Sequence, residues 1–105
     1  MIREWIGKFR RRSADERGGE LQPCPEVRAV AAHDGLAVFH MGRGVMFKAN
    51  AVGSEIWRGV IEQHRDAGSV ARALAGRFGV PPEQAQHDVT RFLGQLLEQG
   101  LVCNR

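Results

Sequence analysis

Two short turn signals divide residues 27–50 into extended segments, and their spacing limits what this chain can fold into. Asp34-Gly35 is a favoured two-residue hairpin turn because both residues tolerate a positive φ, and Gly42-Arg43-Gly44 suits a three-residue connection. The segments that the turns separate are rich in β-branched, aromatic and alternating apolar residues: Val27–His33, Leu36–Met41 and Val45–Lys48. The spacing therefore predicts three antiparallel strands that follow one another as two hairpins.

The two turns also predict a register for these strands. A two-residue turn at Asp34-Gly35 sets His33 opposite Leu36, and the second turn sets Met41 opposite Val45. Successive side chains of a strand point to opposite faces of the sheet. The register therefore predicts one apolar face, assigned to the core, made of Val30, Phe39, Met41, Val45 and Phe47.

Three helical patterns follow the strands, at about 51–63, 69–78 and 82–99. Asn50 and Ser69 are favoured N-cap residues for the first two helices, and Gly100 is placed to end the third. The third helix carries an apolar stripe at helical spacing, made of Ala85, Val89, Phe92, Leu93, Leu96 and Leu97. A three-stranded antiparallel sheet followed by three helices predicts an α+β, winged-helix-like domain over residues 21–105.

The positive charge of the chain is concentrated at its N-terminus. The formal net charge is +3, yet residues 1–12 hold five basic residues and one acidic residue, so the remainder is about neutral. This distribution argues against a globally basic nucleic-acid binder, because such a fold needs its cations on the docking face. Residues 1–20 are interpreted as a basic amphipathic arm and linker. The arm could lie on an anionic membrane, dock on a partner enzyme or fold back on its own domain.

The residue types that carry out catalysis are scattered over the predicted elements. The four histidines show no metal-binding spacing, and Cys24 and Cys103 lack a Cys-x-x-Cys pattern. We therefore expect reduced thiols, no metal, no cofactor and no catalytic constellation. No membrane-spanning run or signal-peptide core is visible, which predicts a cytoplasmic protein.

The order of motifs from about residue 21 to residue 102 resembles the PqqD-like family, also called RiPP recognition elements. The matching segments are HDGLAVFHMGRGVMFKAN, NAVGSEIW, SVARALAGRFGV and DVTRFLGQLLEQGLV. The strand at 45–48 is more similar to stand-alone members of lasso-peptide and radical-SAM pathways than to the pyrroloquinoline-quinone protein. One departure is Ala49, where the family more often has Leu, and this leaves a smaller contact where the sheet meets the helix.

The resemblance implies a non-catalytic peptide chaperone. It would bind the leader of a ribosomally made precursor peptide as an added strand beside the third strand, in a groove next to the third helix. The partner would be a modifying enzyme, such as a radical-SAM enzyme, or a leader peptidase. The peptide-binding residues so implied are Val45, Met46, Phe47, Lys48, Asp88, Arg91, Phe92 and Gln95.

The alternative is a winged-helix DNA-binding or regulatory module that uses the basic arm. In such a module the third helix would read the DNA. That helix presents Arg91 together with Asp88 and Glu98, which is a poor footprint for a polyanion. We therefore expect no nucleic-acid partner.

Overall fold

The computed structural model describes residues 21–104, so the arm predicted at residues 1–20 lies outside the described residues. Three strands, β2 (Val27–Ala32), β3 (Gly35–His40) and β4 (Val45–Asn50), form an antiparallel sheet in the order β2-β3-β4. Three helical elements follow them, as the sequence predicts. The α+β fold with a three-stranded sheet and three helices is thus confirmed.

The predicted register of this sheet is wrong by two residues between β2 and β3, where Val30 pairs with Ala37, and by one residue between β3 and β4, where Val45 pairs with His40. The first turn is His33-Asp34, since Ala32 pairs with Gly35 and Ala31 with Leu36. Gly35 belongs to β3, where it pairs with Ala32 and Asn50, and a Cβ at this position would overlap the carbonyl oxygen of Ala49 on β4. The glycine is therefore required by close contact between strands, although its position beside an aspartate suggests a turn.

The second connection has four residues rather than three. His40 pairs with Val45, which leaves residues 41–44 in the loop. The N–H of Gly44 donates to the carbonyl of His40 at 2.9 Å, and Gly44 has a φ of 69°. The N–H of Arg43 donates to Nδ1 of His40 at 3.2 Å. These bonds close a wider loop than the Gly-Arg-Gly pattern predicts.

The corrected register changes the face that packs on the helices. Leu36 and Val38 of β3 are buried, with Val38 fully inaccessible to solvent. Val30 and Met41, which the sequence assigns to the core, are 53% and 65% exposed. Phe39 also lies on the outer side, whereas Phe47 packs partly buried against the core as predicted, and Val45 is half-buried on the same side of β4.

The helices agree more closely with the prediction. Asn50 caps α1 (Ala51–Ile56) by accepting a hydrogen bond from the N–H of Gly53 at 3.0 Å, and α1 continues into the π-helical segment Trp57–Glu62. The second helix, α2 (Ala67–Phe78), begins two residues before Ser69. Asp66 is its N-cap, because the carboxylate accepts from both the N–H and the hydroxyl of Ser69. Ser69 is therefore not the cap.

The third helix, α3 (Pro82–Glu98), buries the predicted apolar stripe against the rest of the core. It ends at Gly100, which has a φ of 74°. The N–H groups of Gly100 and Leu101 donate to the carbonyls of Leu97 and Leu96, the pattern of a Schellman motif. None of the helices within residues 21–104 combines the length and apolar character that crossing a membrane requires.

A second, two-stranded sheet is absent from the sequence-based prediction. Strand β1 (Leu21–Pro23) pairs antiparallel with β5 (Val102–Asn104), so the two ends of the described chain lie side by side. Cys24 and Cys103 form a disulfide beside this sheet. The expectation of reduced thiols is therefore wrong in this structure, because chain pairing brings two distant cysteines to a Cα separation of 5.1 Å.

Candidate functional site

The outer edge of β4 presents backbone groups that the sheet does not use. The N–H of Met41 donates to the carbonyl of Glu26 at 2.8 Å, and hydrogen-bonded pairs alternate along antiparallel strands. By this alternation Phe39 bonds to β2, whereas Val38 bonds to Phe47 on β4. Met46 and Lys48 consequently direct their N–H and C=O groups away from β3. No described strand pairs with this side of β4, which we call the open edge.

A cleft of about 270 Å³ lies beside the open edge, between β4, α1 and α3. We call it the β4–α3 cleft. Its lining combines an apolar floor with polar groups at the mouth. The lining residues are Phe47, Lys48, Ala49, Asn50, Val52, Gly53, Ile56, Asp88, Arg91, Phe92 and Gln95.

Two aromatic rings from different elements meet in the β4–α3 cleft. Phe47 of β4 and Phe92 of α3 make an edge-to-face contact with ring centroids 5.8 Å apart. Phe92 is 9% exposed, so it belongs both to the core and to the cleft wall. Gly53 lies directly behind it, because a Cβ there would stand 2.8 Å from the Phe92 ring. The absence of a side chain at Gly53 therefore leaves the space that the ring occupies.

The mouth of the cleft carries charges of both signs. The guanidinium of Arg91 lies 3.6 Å from the carboxylate of Asp88, one helical turn away on α3. The Arg91 side chain is 65% exposed, so this ion pair contributes little to stability. Gln95 of the same helix is also exposed. The mouth can thus hydrogen-bond to a polar guest, whereas the floor can accept an apolar side chain.

Six of the eight residues that the sequence predicts as binding residues line this cleft. Val45 and Met46 do not. Val45 is half-buried beside the hairpin loop, and Met46 is 54% exposed on the outer face of the sheet. Three cleft residues of α1 are missing from the predicted set: Val52, Gly53 and Ile56. Their i, i+1, i+4 spacing on the helix that follows β4 was a signal that could have identified them.

Metal-ligating side chains and perturbed carboxylates were the other candidates for a functional site. No group of three or more His, Cys, Asp or Glu residues within 21–104 is placed to hold a metal ion. Hydrogen bonds from the N–H and the hydroxyl of Ser69 lower the pKa of Asp66 below its ordinary value of 3.8. This carboxylate caps α2 and is not part of the cleft lining. Its perturbation is therefore a structural feature of the helix.

Comparisons with known proteins agree with this fold. The family model described as Coenzyme PQQ synthesis protein D (PqqD) matches residues 35–102, which span β3 to β5. No curated protein sequence matches the chain. Two solved structures have the same fold. "TbiB1 in Complex with the TbiA(beta) Leader Peptide" is 23% identical with a TM-score of 0.69, and the match covers 77% of this chain and 93% of that one. "Lasso peptide synthetase B1 complexed with the leader peptide" is 19% identical with a TM-score of 0.74, covering 80% and 98%.

Proposed function

This chain belongs to the PqqD family, and from that premise we propose that it binds the leader of a ribosomally made precursor peptide on the open edge of β4. The observation that carries the proposal is the unused backbone of Met46 and Lys48 beside the β4–α3 cleft. An extended peptide can add to such an edge as a further strand. The structural relatives support the proposal, since both are described as complexes with leader peptides.

An added strand would lie about 4.8 Å beyond β4, and its side chains would alternate between two faces. Those on the inner face would enter the cleft, where Phe47 and Phe92 provide apolar contact. Residues of the leader peptide that lie at the mouth of the β4–α3 cleft would contact Asp88, Arg91 and Gln95. In this arrangement the backbone provides binding that tolerates many sequences, and the cleft provides selectivity.

The energies indicate that the edge alone is insufficient. Met46 and Lys48 together offer four backbone groups, and a hydrogen bond contributes about 0.5–1.5 kcal/mol net, which gives about 2–6 kcal/mol. Micromolar affinity requires about 8 kcal/mol, and association itself costs several kcal/mol. Burial of an apolar side chain adds about 1.5–3 kcal/mol. The leader must therefore place at least one large apolar residue in the cleft.

The binding is proposed to occur without turnover. The lining residues of the cleft include no Ser, Thr, Cys or His, and the carboxylate of Asp88 is paired with Arg91. The chain would then present the bound precursor to a separate modifying enzyme, such as a radical-SAM enzyme or a leader peptidase. Calorimetry with the cognate leader peptide should show one-to-one binding, and mass spectrometry should show an unchanged peptide. A covalently changed peptide would refute this part of the proposal.

The DNA-binding alternative receives no support from the comparisons, which are with peptide complexes. The exposed cation of α3 at the cleft, Arg91, is paired with a carboxylate, so this surface has little net positive charge. DNA binding depends on cations that displace counterions from phosphates. Peptide binding is thus the function that the described residues support best.

Proline substitution tests the proposed edge directly. Met46→Pro removes an N–H that the sheet does not use, and proline is tolerated on edge strands where its missing N–H faces outward. We expect a folded protein whose leader binding is weakened at least tenfold, or about 1.4 kcal/mol.

The chain offers a matched control on the opposite edge of the same sheet. By the same alternation the N–H of Ala31 faces away from β3, and Ala31 is exposed. Ala31→Pro should therefore leave both the fold and leader binding intact. Circular dichroism and peptide titration of both variants decide the matter. Undiminished binding by folded Met46→Pro, or equal losses in the two variants, would refute edge addition at β4.

A further inference from the structure

The two residues that offer backbone groups at the open edge also present their side chains on one face. Met46 is 54% exposed and Lys48 is exposed, and both point to the side of the sheet away from the helices. A strand added to β4 would place its own outward side chains directly beside them. Side chains that lie opposite each other on neighbouring strands have Cβ atoms about 4.5–5.5 Å apart. Met46 and Lys48 would therefore select the outward residues of the guest.

The outer face of the sheet, which points away from the helices, combines apolar side chains with basic ones. In the row of Lys48 the neighbours are Ala37 and Val30, and in the row of Met46 they are Phe39 and Arg28. Among the outward positions of β2, β3 and β4, Arg28 and Lys48 are the charged residues, and both are basic. A guest residue opposite Lys48 thus meets a cation with no carboxylate on the same face of these strands.

We infer that the guest strand carries an acidic residue opposite Lys48 and an apolar residue opposite Met46, two positions apart in its sequence. The inference rests on the proposed function and adds to it the chemical class of the ligand. Opposite charges facing each other across two strands are stabilising, and like charges are destabilising. Apolar pairs stabilise in the same way. The spacing of two follows from the two-residue period of a strand and holds for a parallel or an antiparallel guest.

Distance separates the effect of Lys48 from that of Arg28. The guest lies one strand spacing, about 4.8 Å, from β4 and three spacings, about 14 Å, from β2. At physiological ionic strength the charge on Arg28 is screened over about 8 Å. Arg28→Glu changes the net charge of the protein as much as Lys48→Glu does. It is therefore a matched control that leaves the contact at the open edge unchanged.

Selection from a display library of random 14-residue peptides tests the inference without knowledge of the natural precursor. The full-length chain and three variants, Lys48→Glu, Met46→Glu and Arg28→Glu, are used as bait. Peptides selected by the unsubstituted chain should carry Asp or Glu two positions from an apolar residue. Lys48→Glu should select Lys or Arg at the acidic position, and Met46→Glu should select Lys or Arg at the apolar position. Arg28→Glu should select the same peptides as the unsubstituted chain.

Titration of one selected acidic peptide supplies the magnitude. Its affinity for Lys48→Glu should fall about fivefold, or about 1 kcal/mol, and replacement of its acid by Lys should restore binding to that variant. Selected peptides without a charge preference, or an acidic preference retained by Lys48→Glu, would overturn the inference and leave the proposed function standing. If the unsubstituted chain selects no peptide, the proposed function fails and the inference fails with it.

Discussion

Gly53 packs against Phe92 in the wall of the β4–α3 cleft. Replacing Gly53 by alanine should therefore not raise the free energy of unfolding, as this substitution usually does in a helix. Replacing glycine by alanine in a helix normally stabilises by about 0.5–1 kcal/mol. At Gly53 the new Cβ would stand 2.8 Å from the Cβ of Ala49 and 2.8 Å from the ring of Phe92. Carbon atoms in contact prefer about 3.5–4.0 Å. Because the Cβ of Ala49 is fixed to the backbone of β4, the backbone of α1 has to shift as well as the Phe92 ring.

The cost of this crowding can be compared with the gain in helix propensity. Overpacking a core by one methyl group costs about 1–3 kcal/mol, so Gly53→Ala should change the free energy of unfolding by between about zero and a loss of 2.5 kcal/mol. The displaced ring would also alter its edge contact with Phe47 and the space available in the cleft. Leader binding should therefore weaken even where stability changes little.

Gly76 provides the control for this experiment. It is exposed in the last turn of α2, and a Cβ there would meet no atom within 4 Å. Gly76→Ala should raise the free energy of unfolding by about 0.5–1 kcal/mol and leave leader binding unchanged. Urea denaturation and peptide titration of both variants give the comparison. Gly53→Ala as stabilising as Gly76→Ala, with unchanged binding, would refute the role given to Gly53.

Three further predictions concern other parts of the chain. Reduction of the Cys24–Cys103 disulfide, which links residues 79 apart, should lower the free energy of unfolding by up to about 4 kcal/mol in urea denaturation, since it frees a long loop in the unfolded state. Asp66→Ala should cost about 1 kcal/mol by removing the cap of α2. The hydrogen bonds from Ser69 lower the pKa of Asp66 below 3.8, so its stabilisation is present at higher pH and should disappear in acid titrations as pH falls through the folded pKa. Deletion of residues 1–12 should leave leader binding intact and nearly independent of salt, because counterion release is not its driving force; loss of binding by the folded truncated protein would place the site in the arm.

Local sequence patterns predict the helices well because several independent signals coincide. The apolar stripe of α3 and Gly100 after it mark the same element, and the structure buries the stripe and ends the helix with a Schellman motif. At α2 two capping residues stand close together, and the earlier one, Asp66, forms the cap in place of Ser69. Periodicity therefore identifies a helix more reliably than it identifies the first residue.

The sheet shows why a register is harder to predict. A glycine after an aspartate is typical of a turn, but Gly35 lies in β3, where glycine is needed because the backbone of β4 approaches too closely for any Cβ. That approach depends on the third strand and is invisible in the dipeptide. The face assignment failed at the second loop instead: its fourth residue pairs Phe47 with Val38 rather than Phe39, so Phe39 and Val30 lie on the outer face, yet Met46 and Lys48 face the open edge in both registers. In both registers the N–H and C=O groups of Phe47 bond to β3, to Phe39 in the predicted register and to Val38 in the structure. The backbone groups of its neighbours Met46 and Lys48 therefore point away from β3 in both.

Long-range pairing is the part of the fold without a local signal. Strands β1 and β5 have three residues each, and they lie at opposite ends of the described chain. Neither is long enough to show alternation, and the cysteines beside them have no recognisable spacing. The cleft also depends on such contacts, since α1 contributes Val52, Gly53 and Ile56 only after β4 and α3 are brought together.

Amide hydrogen exchange measured by NMR, with and without leader peptide, is the most direct test of edge addition. In the free protein the N–H groups of Phe47 and Ala49 bond to β3 and should exchange slowly, whereas those of Met46 and Lys48 should exchange rapidly. Leader peptide should slow exchange at Met46 and Lys48 and change Phe47 and Ala49 little. Saturating peptide that leaves Met46 and Lys48 in rapid exchange would contradict the account, since the peptide would then be bound without joining the sheet.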